Sequence, residues 1–534
     1  MLPEAFTDRM RRMLGDEYEE FIKAFEGERH QALRLNALKP GMGGKTGAEA
    51  PAGLEGNVSP GNEPVAAAEK EKVGLERLSP VPWAENCYYY EPGLQPGKHP
   101  FHEAGVYYIQ EPSAMAPGEL LEVKPGDRVL DLCAAPGGKS TQMAAKLQGQ
   151  GILVCNEIHP ARAKILSENV ERMGIGNACV TNETPERLAA AFPEYFDRIL
   201  VDAPCSGEGM FRKNPAACEE WSPENVRLCA VRQDEILDCG AQMLRPGGRL
   251  VYSTCTFAEE EDEGSVERFL GRHPDFRLVP VESEKAGLEN CSGQLAGTIR
   301  LMPHKVRGEG HFAAVLERVC EDSGLRSCSG RREGLREGKC SGSLEYGGFQ
   351  RAPEKELGDY LSFCRENLRQ VPGAGLKEPG RREKAAERTG GCFDACVERM
   401  HSDSGKNHVG CVRLGDHLYL MPEDMPDLKG LKILRAGLHL GELKKNRFEP
   451  SHALALTLAP EEAVHVLNLG SEESGVFAYL RGEAFPAAGD KGWYLICVDG
   501  FSLGWGKLSG GIMKNHYPRG LRRNLQQEDA CLSI

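Results

Sequence analysis

Val129-Leu130-Asp131-Leu132-Cys133-Ala134-Ala135-Pro136-Gly137-Gly138-Lys139 decides the fold of this chain. Apolar residues at 129, 130 and 132 read as a short buried strand. Pro136-Gly137-Gly138 turns the chain, and residues 140–147 read as a helix. Strand, glycine-rich loop and helix form the first unit of a nucleotide-cofactor α/β fold. Gly137 and Gly138 let the loop backbone press against a ligand. The same unit also serves as an ordinary strand-to-helix turn, and it carries neither the dinucleotide fingerprint nor Walker spacing.

The pattern continues outward over 100–318. Residues 151–156, 178–181, 198–201 and 249–253 read as strands. Residues 160–173 and 224–244 read as helices, the first with Ala161, Ile165, Leu166, Val170 and Met173 on one face. The turn Arg245-Pro246-Gly247-Gly248 follows the second helix, 266–270 lie on a further helix, and 299–301 with 312–316 read as a closing hairpin. Strands alternating with helices predict a mostly parallel sheet covered on both faces. Ligands then sit at the carboxyl ends of its strands.

A chain of 534 residues is too long for one ordinary domain. We divide it into an N-terminal domain over 1–99 with a disordered insertion at 41–72, an α/β domain over 100–318, a low-complexity linker over 319–410 and a small β-rich region over 411–534. Within the first, residues 2–26 have helical spacing, and Trp83 and Tyr88-Tyr89-Tyr90 read as core. Residues 357–368 are one island of helical pattern inside the linker. No apolar run is long enough to span a bilayer and no secretory core follows Met1, so a cytoplasmic protein is expected; a monomer is expected as a separate matter. The 19 cysteines are scattered, and Cys392 and Cys396 lack a second pair with zinc spacing, so no metal is expected. A net charge of -14 argues against wholesale electrostatic binding of nucleic acid but allows a local basic groove. Lys507, Lys514, Arg519, Arg522 and Arg523 form such a cluster near the end.

Four elements follow the strands in order. After the loop comes Asn156-Glu157, where a carboxylate suits the two hydroxyls of a ribose. Then come Asp202-Ala203-Pro204-Cys205-Ser206-Gly207 and Ser253-Thr254-Cys255-Thr256. A thiol at a polar strand end is a candidate nucleophile, and two beside Asp202 and a glycine loop are hard to dismiss as core residues.

As a set, these motifs resemble the RNA cytosine-5 methyltransferase family, RsmB/Sun. The runs Tyr108-Ile109-Gln110-Glu111-Pro112-Ser113 and Gly308-Glu309-Gly310-His311-Phe312 agree with it. Leu434-Arg435-Ala436-Gly437-Leu438-His439-Leu440-Gly441 and residues 514–520 resemble its RsmF-like subgroup, which modifies ribosomal RNA and carries a PUA-like module. The resemblance implies a Rossmann-like class I core that uses S-adenosylmethionine. Cys133, Ala134, Ala135, Pro136, Gly137, Gly138 and Lys139 would hold the methionine part and Glu157 the ribose. Asn182 would lie near the adenine, where the family more often has Asp. Asp202 would position the target base or the cofactor, Cys255 would attack, and Cys205 would assist release. The substrate implied is RNA, most of all 16S ribosomal RNA or its subunit, and the terminal cluster 507–523 would contact its phosphates. A tRNA substrate and a non-catalytic ribosome assembly factor are the alternatives. A DNA enzyme would instead place its nucleophile at Cys205.

Overall fold

The computed structural model describes residues 2–40, 78–320, 350–370, 372 and 410–525, apart from 92, 285, 290, 353, 423 and 424. The expected insertion at 41–72, much of the expected linker and the Cys392/Cys396 pair lie outside the described residues.

The central sheet is built around the strand Arg128–Asp131, whose residues 129–131 are buried. It runs parallel to Ile152–Asn156 on one side and to Phe196–Asp202 on the other. Beyond these lie Ala178–Thr181 and Leu244–Thr254, also parallel. His311–Arg318 continues the sheet antiparallel to Leu244–Thr254, and both Phe276–Val279 and Ile299–Leu301 pair antiparallel with it. Such strands are apolar throughout because both faces are covered. Leu130, Val154, Ile199 and Leu250 are fully buried in one core. The expected turn at 245–248 sits inside this sheet as an irregularity: Phe196 pairs with Leu244 and Arg198 with Arg249, and Gly247 takes φ 73°. The helix Pro160–Arg172 buries Ala163, Leu166 and Val170, whereas Ile165 is exposed, so its inner face is turned from the one read in sequence.

An edge strand leaves backbone groups unpaired, and proteins cover such edges. Here Ile433–Ala436 covers Ala178–Thr181, antiparallel and with a register irregularity. The C-terminal region is therefore stitched into the catalytic sheet. It is also larger than one small β-rich unit. One five-stranded sheet combines Gln350–Arg351, Cys411–Leu414, His417–Leu420, Leu438–Lys444 and Arg447–Pro450. A second holds Val466–Leu469, Gly492–Val498, Phe501–Ser509, Ile512–Asn515 and Phe485–Pro486.

The linker reading of 319–410 is corrected at 350–370. The helix Glu354–Asn367 covers the expected helical island and belongs to the C-terminal fold. Its Leu357, Tyr360, Phe363 and Cys364 are buried with Leu440, Phe448 and Trp505. Polar residues dominate the surrounding sequence and conceal this apolar face.

The N-terminal segment forms helices Glu4–Leu14 and Tyr18–Glu26, then a sheet of Gln31–Leu35, Ser79–Pro80, Cys87–Tyr90 and Tyr107–Gln110. Trp83 and Tyr88 to Tyr90 are buried, as expected for core. The helices pack Phe6, Met10 and Phe21 against Phe211, Trp221 and Phe257, which lie on the segments following the two Cys motifs. The sheet shares a core with the second C-terminal sheet, where Phe101 and Phe501 meet at 5.5 Å between ring centroids. Among the described residues, no helix is long and apolar enough to cross a membrane.

Candidate active site

The glycine loop follows the first strand directly. Gly137 caps the helix Gly138–Leu147 with φ 112°, a value most side chains reject. A Cβ on Gly138 would lie 3.3 Å from the Gln110 side chain and 3.4 Å from Tyr108, so the loop has no room for a larger residue there. Arg34, buried in the N-terminal sheet, donates to the Gly138 carbonyl at 3.1 Å and to Thr141 Oγ1 at 2.7 Å. Asp131 closes the strand. One of its oxygens accepts from Ser140 Oγ at 2.6 Å, and the other is buried without a hydrogen-bond partner among the described residues. Burial pushes its carboxyl up to about 7.

Glu157 and Asn182 lie past the next two strands. Glu157 is buried; it accepts from the His159 amide at 2.9 Å and faces Arg162 at 3.3 Å. Asn182 donates to the carbonyls of Glu157 and Ile158, both at 2.8 Å, which ties the two strand ends together. Its amide nitrogen is therefore committed within the chain.

Asp202 ends the fourth parallel strand. Lys139 Nζ lies 2.8 Å from one of its oxygens. Ser253 Oγ donates to the other at 2.8 Å, and His311 Nε2 lies 3.3 Å from that same oxygen. Burial alone would raise this carboxyl, but the Lys139 ammonium and the His311 ring outweigh it and hold it well below the usual range. Asp202 is thus a fixed anion. Burial pulls the His311 ring down, and Lys139 adds to the effect.

Cys205 and Cys255 follow neighbouring strands, and parallel pairing of Asp202 with Ser253 brings them level. Their sulfurs are 3.3 Å apart. A hydrogen bond with Cys255 and burial push the Cys205 thiol up. Gly209 donates to the Cys255 carbonyl at 2.8 Å, and a Cβ there would sit 3.0 Å from that oxygen and from the Gly310 carbonyl. Cys133, in the loop, is also pushed well up by burial.

The two flanking runs quoted from the sequence meet beside this centre. Glu111 accepts from the amides of Ser113 at 3.0 Å, Ala114 at 2.8 Å and Glu309 at 2.8 Å. Ser113 Oγ accepts from the Gly310 amide at 3.2 Å. This clamp sets the segment that carries His311 to Asp202.

A strand-end anion, two thiols in contact and a glycine loop narrow the chemistry, and comparison with known proteins names it. The model of the 16S rRNA methyltransferase RsmB/F family matches residues 119–317. Models of the RsmF N-terminal domain, its first C-terminal domain and its PUA domain match 2–50 with 61–112, 407–458 and 466–523. A ribosomal RNA small subunit methyltransferase F from Vibrio cholerae serotype O1 is 31% identical, covering 98% of each chain. The chain belongs to the RsmB/F family of 16S rRNA methyltransferases.

The namesake from Shigella boydii serotype 4 is 29% identical over 98% of this chain and 97% of its own. The crystal structure of PH0851 superposes with a TM-score of 0.50 at 28% identity, covering 59% of this chain and 66% of that one. The fold is accordingly a class I S-adenosylmethionine-dependent methyltransferase core with an N-terminal α/β extension and a PUA-like module.

Family membership leaves the individual roles to be argued from placement. Lys507 and Lys514 face each other across an antiparallel pair, and Trp493 faces Lys507 on its other side. Lys507 Nζ lies 4.9 Å from the Trp493 ring. Arg519 and Arg522 are surface residues on the following segment. Arg523 lies 3.3 Å from buried Glu103, so it is engaged within the chain. Residue reading alone missed Ser253, His311 and the clamp. Ser253 and His311 stood inside the quoted motifs, but no local spacing places them on Asp202.

Proposed function

We propose that this enzyme methylates C5 of a cytosine in 16S ribosomal RNA through a covalent adduct on Cys255. The contact of the Cys205 and Cys255 sulfurs beside Asp202 carries this reading. The residues present also fit S-adenosylmethionine. The unpartnered oxygen of Asp131 and the glycine loop 133–139 offer acceptor and close backbone to a methionine moiety. Glu157 suits the ribose hydroxyls, and the Asn182 oxygen suits the adenine amine. When bound, the cofactor supplies an electrophilic methyl group as a sulfonium.

The protein residues do the rest. C5 of cytosine is too electron-poor to attack an electrophile directly. The Cys255 thiolate adds to C6 and makes C5 nucleophilic. Asp202, a fixed anion, takes a hydrogen bond from the ring edge as charge develops, and Lys139 and Ser253 keep it in place. After transfer, the C5 proton must leave and the C6–sulfur bond must break. Cys205, at 3.3 Å from the sulfur to be expelled, acts as the base that takes the C5 proton; the C5–H electron pair re-forms the C5–C6 double bond, and the Cys255 sulfur leaves C6 as a thiolate. The target base enters the pocket unstacked, which costs a few kcal/mol unless it is already unpaired.

The N-terminal domain of 1–99 and the C-terminal region hold the RNA in this scheme, the latter through Lys507, Lys514, Arg519 and Arg522, with Arg523 in a supporting ion pair. The enzyme acts as a cytoplasmic monomer. Labelled S-adenosylmethionine and 16S rRNA test the reading: the wild-type chain deposits label at C5 of cytosine, and Cys255→Ala does not. Full turnover by Cys255→Ala would exclude the covalent route.

A further inference from the structure

Behind the two cysteines lies a buried carboxylate that the proposed reaction does not use. Glu261 is fully buried. One of its oxygens accepts from the Ser206 amide at 2.9 Å and from Gln233 Nε2 at 2.8 Å. The other oxygen has no hydrogen-bond partner among the described residues. Gln233 donates also to the Pro204 carbonyl at 3.1 Å, so the pair grips the Cys205 loop on both sides of the thiol. The Cys255 loop is held from the same point. Ser206 Oγ meets Thr256 Oγ1 at 2.8 Å, and the Tyr252 hydroxyl donates to the Glu261 carbonyl.

A buried carboxylate is costly unless its bonds secure something. A buried Gln would accept from the same two donors at lower cost. Here the negative group sits next to the release thiol and adds to the forces that push it up. Cys205 and Glu208 approach Glu261 from the turn after Asp202, Cys229 from the helix Pro223–Met243, Tyr252 from the strand and Asp262 from its own loop.

The structure assigns Glu261 as a positioning residue that ties the Cys205 loop to the Cys255 loop and sets a carboxylate beside the Cys205 thiol. Its purpose rests on the reaction proposed above; its geometry does not.

The test uses the full chain and a bis-alkylating bimane that bridges neighbouring thiols, with the bridged Cys205–Cys255 peptide measured by mass spectrometry. Wild type and Glu261→Gln, which keeps an acceptor for both donors, should bridge equally. Glu261→Ala should lose most of the bridged peptide, and its turnover should fall about a hundredfold, the scale of an ångström-sized misplacement. In Glu261→Gln, Cys205 alkylation by iodoacetamide should begin at lower pH, because a negative neighbour is gone. Should Glu261→Ala not fold, that alkylation profile decides by itself. Equal bridging in all three proteins with an unmoved Cys205 profile would overturn the assignment. A wild-type chain that transfers no methyl would count against the reaction instead, and bridging would still judge Glu261.

Discussion

Lys139, from the glycine loop, places its ammonium 2.8 Å from Asp202, at the end of a neighbouring strand. The contact joins the proposed cofactor cradle to the proposed base pocket, so one ion pair keeps both in register. Asp202→Asn removes the anion and leaves a buried ammonium unpaired. Breaking a buried pair in this way costs about 3–5 kcal/mol, and losing one transition-state contact costs about a hundredfold to a thousandfold in kcat. Urea denaturation and single-turnover assays measure the two losses separately. A variant with wild-type kcat would exclude Asp202 from base positioning.

Asp131 predicts a pH effect on stability. Burial raises its folded carboxyl from the ordinary value of about 4 to about 7. The folded state then holds a proton that the unfolded state has released across that window. Stability from this group is complete below pH 4 and is lost as pH rises through about 7. Asp131→Asn keeps a neutral group at every pH. It should therefore gain stability relative to wild type at pH 8, by a few kcal/mol at most since one pKa unit is worth about 1.4 kcal/mol. The gain should shrink toward pH 5. Denaturation of the cofactor-free chain at the two pH values checks this, and a gain independent of pH would refute it.

Phe363 tests whether the helix Glu354–Asn367 is part of the C-terminal core. It is buried against Phe448 at 5.3 Å and Trp505 at 5.8 Å between ring centroids. Phe363→Ala should destabilise by about 3–5 kcal/mol, the usual cost of deleting a buried aromatic side chain. A loss within about 0.5 kcal/mol, typical of surface changes, would return the segment to linker.

Lys507 and Lys514 stand opposite each other on paired strands, and like charges so placed destabilise a sheet. Phosphate binding would offset that cost. Replacing both with Gln should weaken RNA binding evenly across sequences and reduce the salt slope by about 1 per lost contact. Filter binding at several salt concentrations measures the slope, and an unchanged slope would remove these lysines from the RNA surface.

Much of this site can be read from the chain because its chemistry demands particular residues in short runs. The proposed reaction needs small residues in the loop and Asp202, Cys205 and Cys255 at the strand ends, and each stands within a recognisable motif. The partners that tune them are harder to read. Ser253, His311 and Glu261 are ordinary residue types that meet the site only through strand pairing and loop return. The helical pattern at 357–368 is legible, but its place in the C-terminal core is not, because charged neighbours dilute its apolar face. A short strand is legible at 431–434, but the partner of the strand Ile433–Ala436, an edge more than two hundred residues upstream, is not.

The covalent adduct gives the most direct test of the central claim that Cys255 attacks and Cys205 releases. The chain, 16S rRNA and S-adenosylmethionine are incubated together, and protein–RNA species are resolved on a denaturing gel. Cys205→Ala should accumulate a protein–RNA adduct that wild type turns over, and the double variant with Cys255→Ala should form none. An adduct that persists without Cys255, or that Cys205→Ala fails to accumulate while methylation proceeds, would contradict the account.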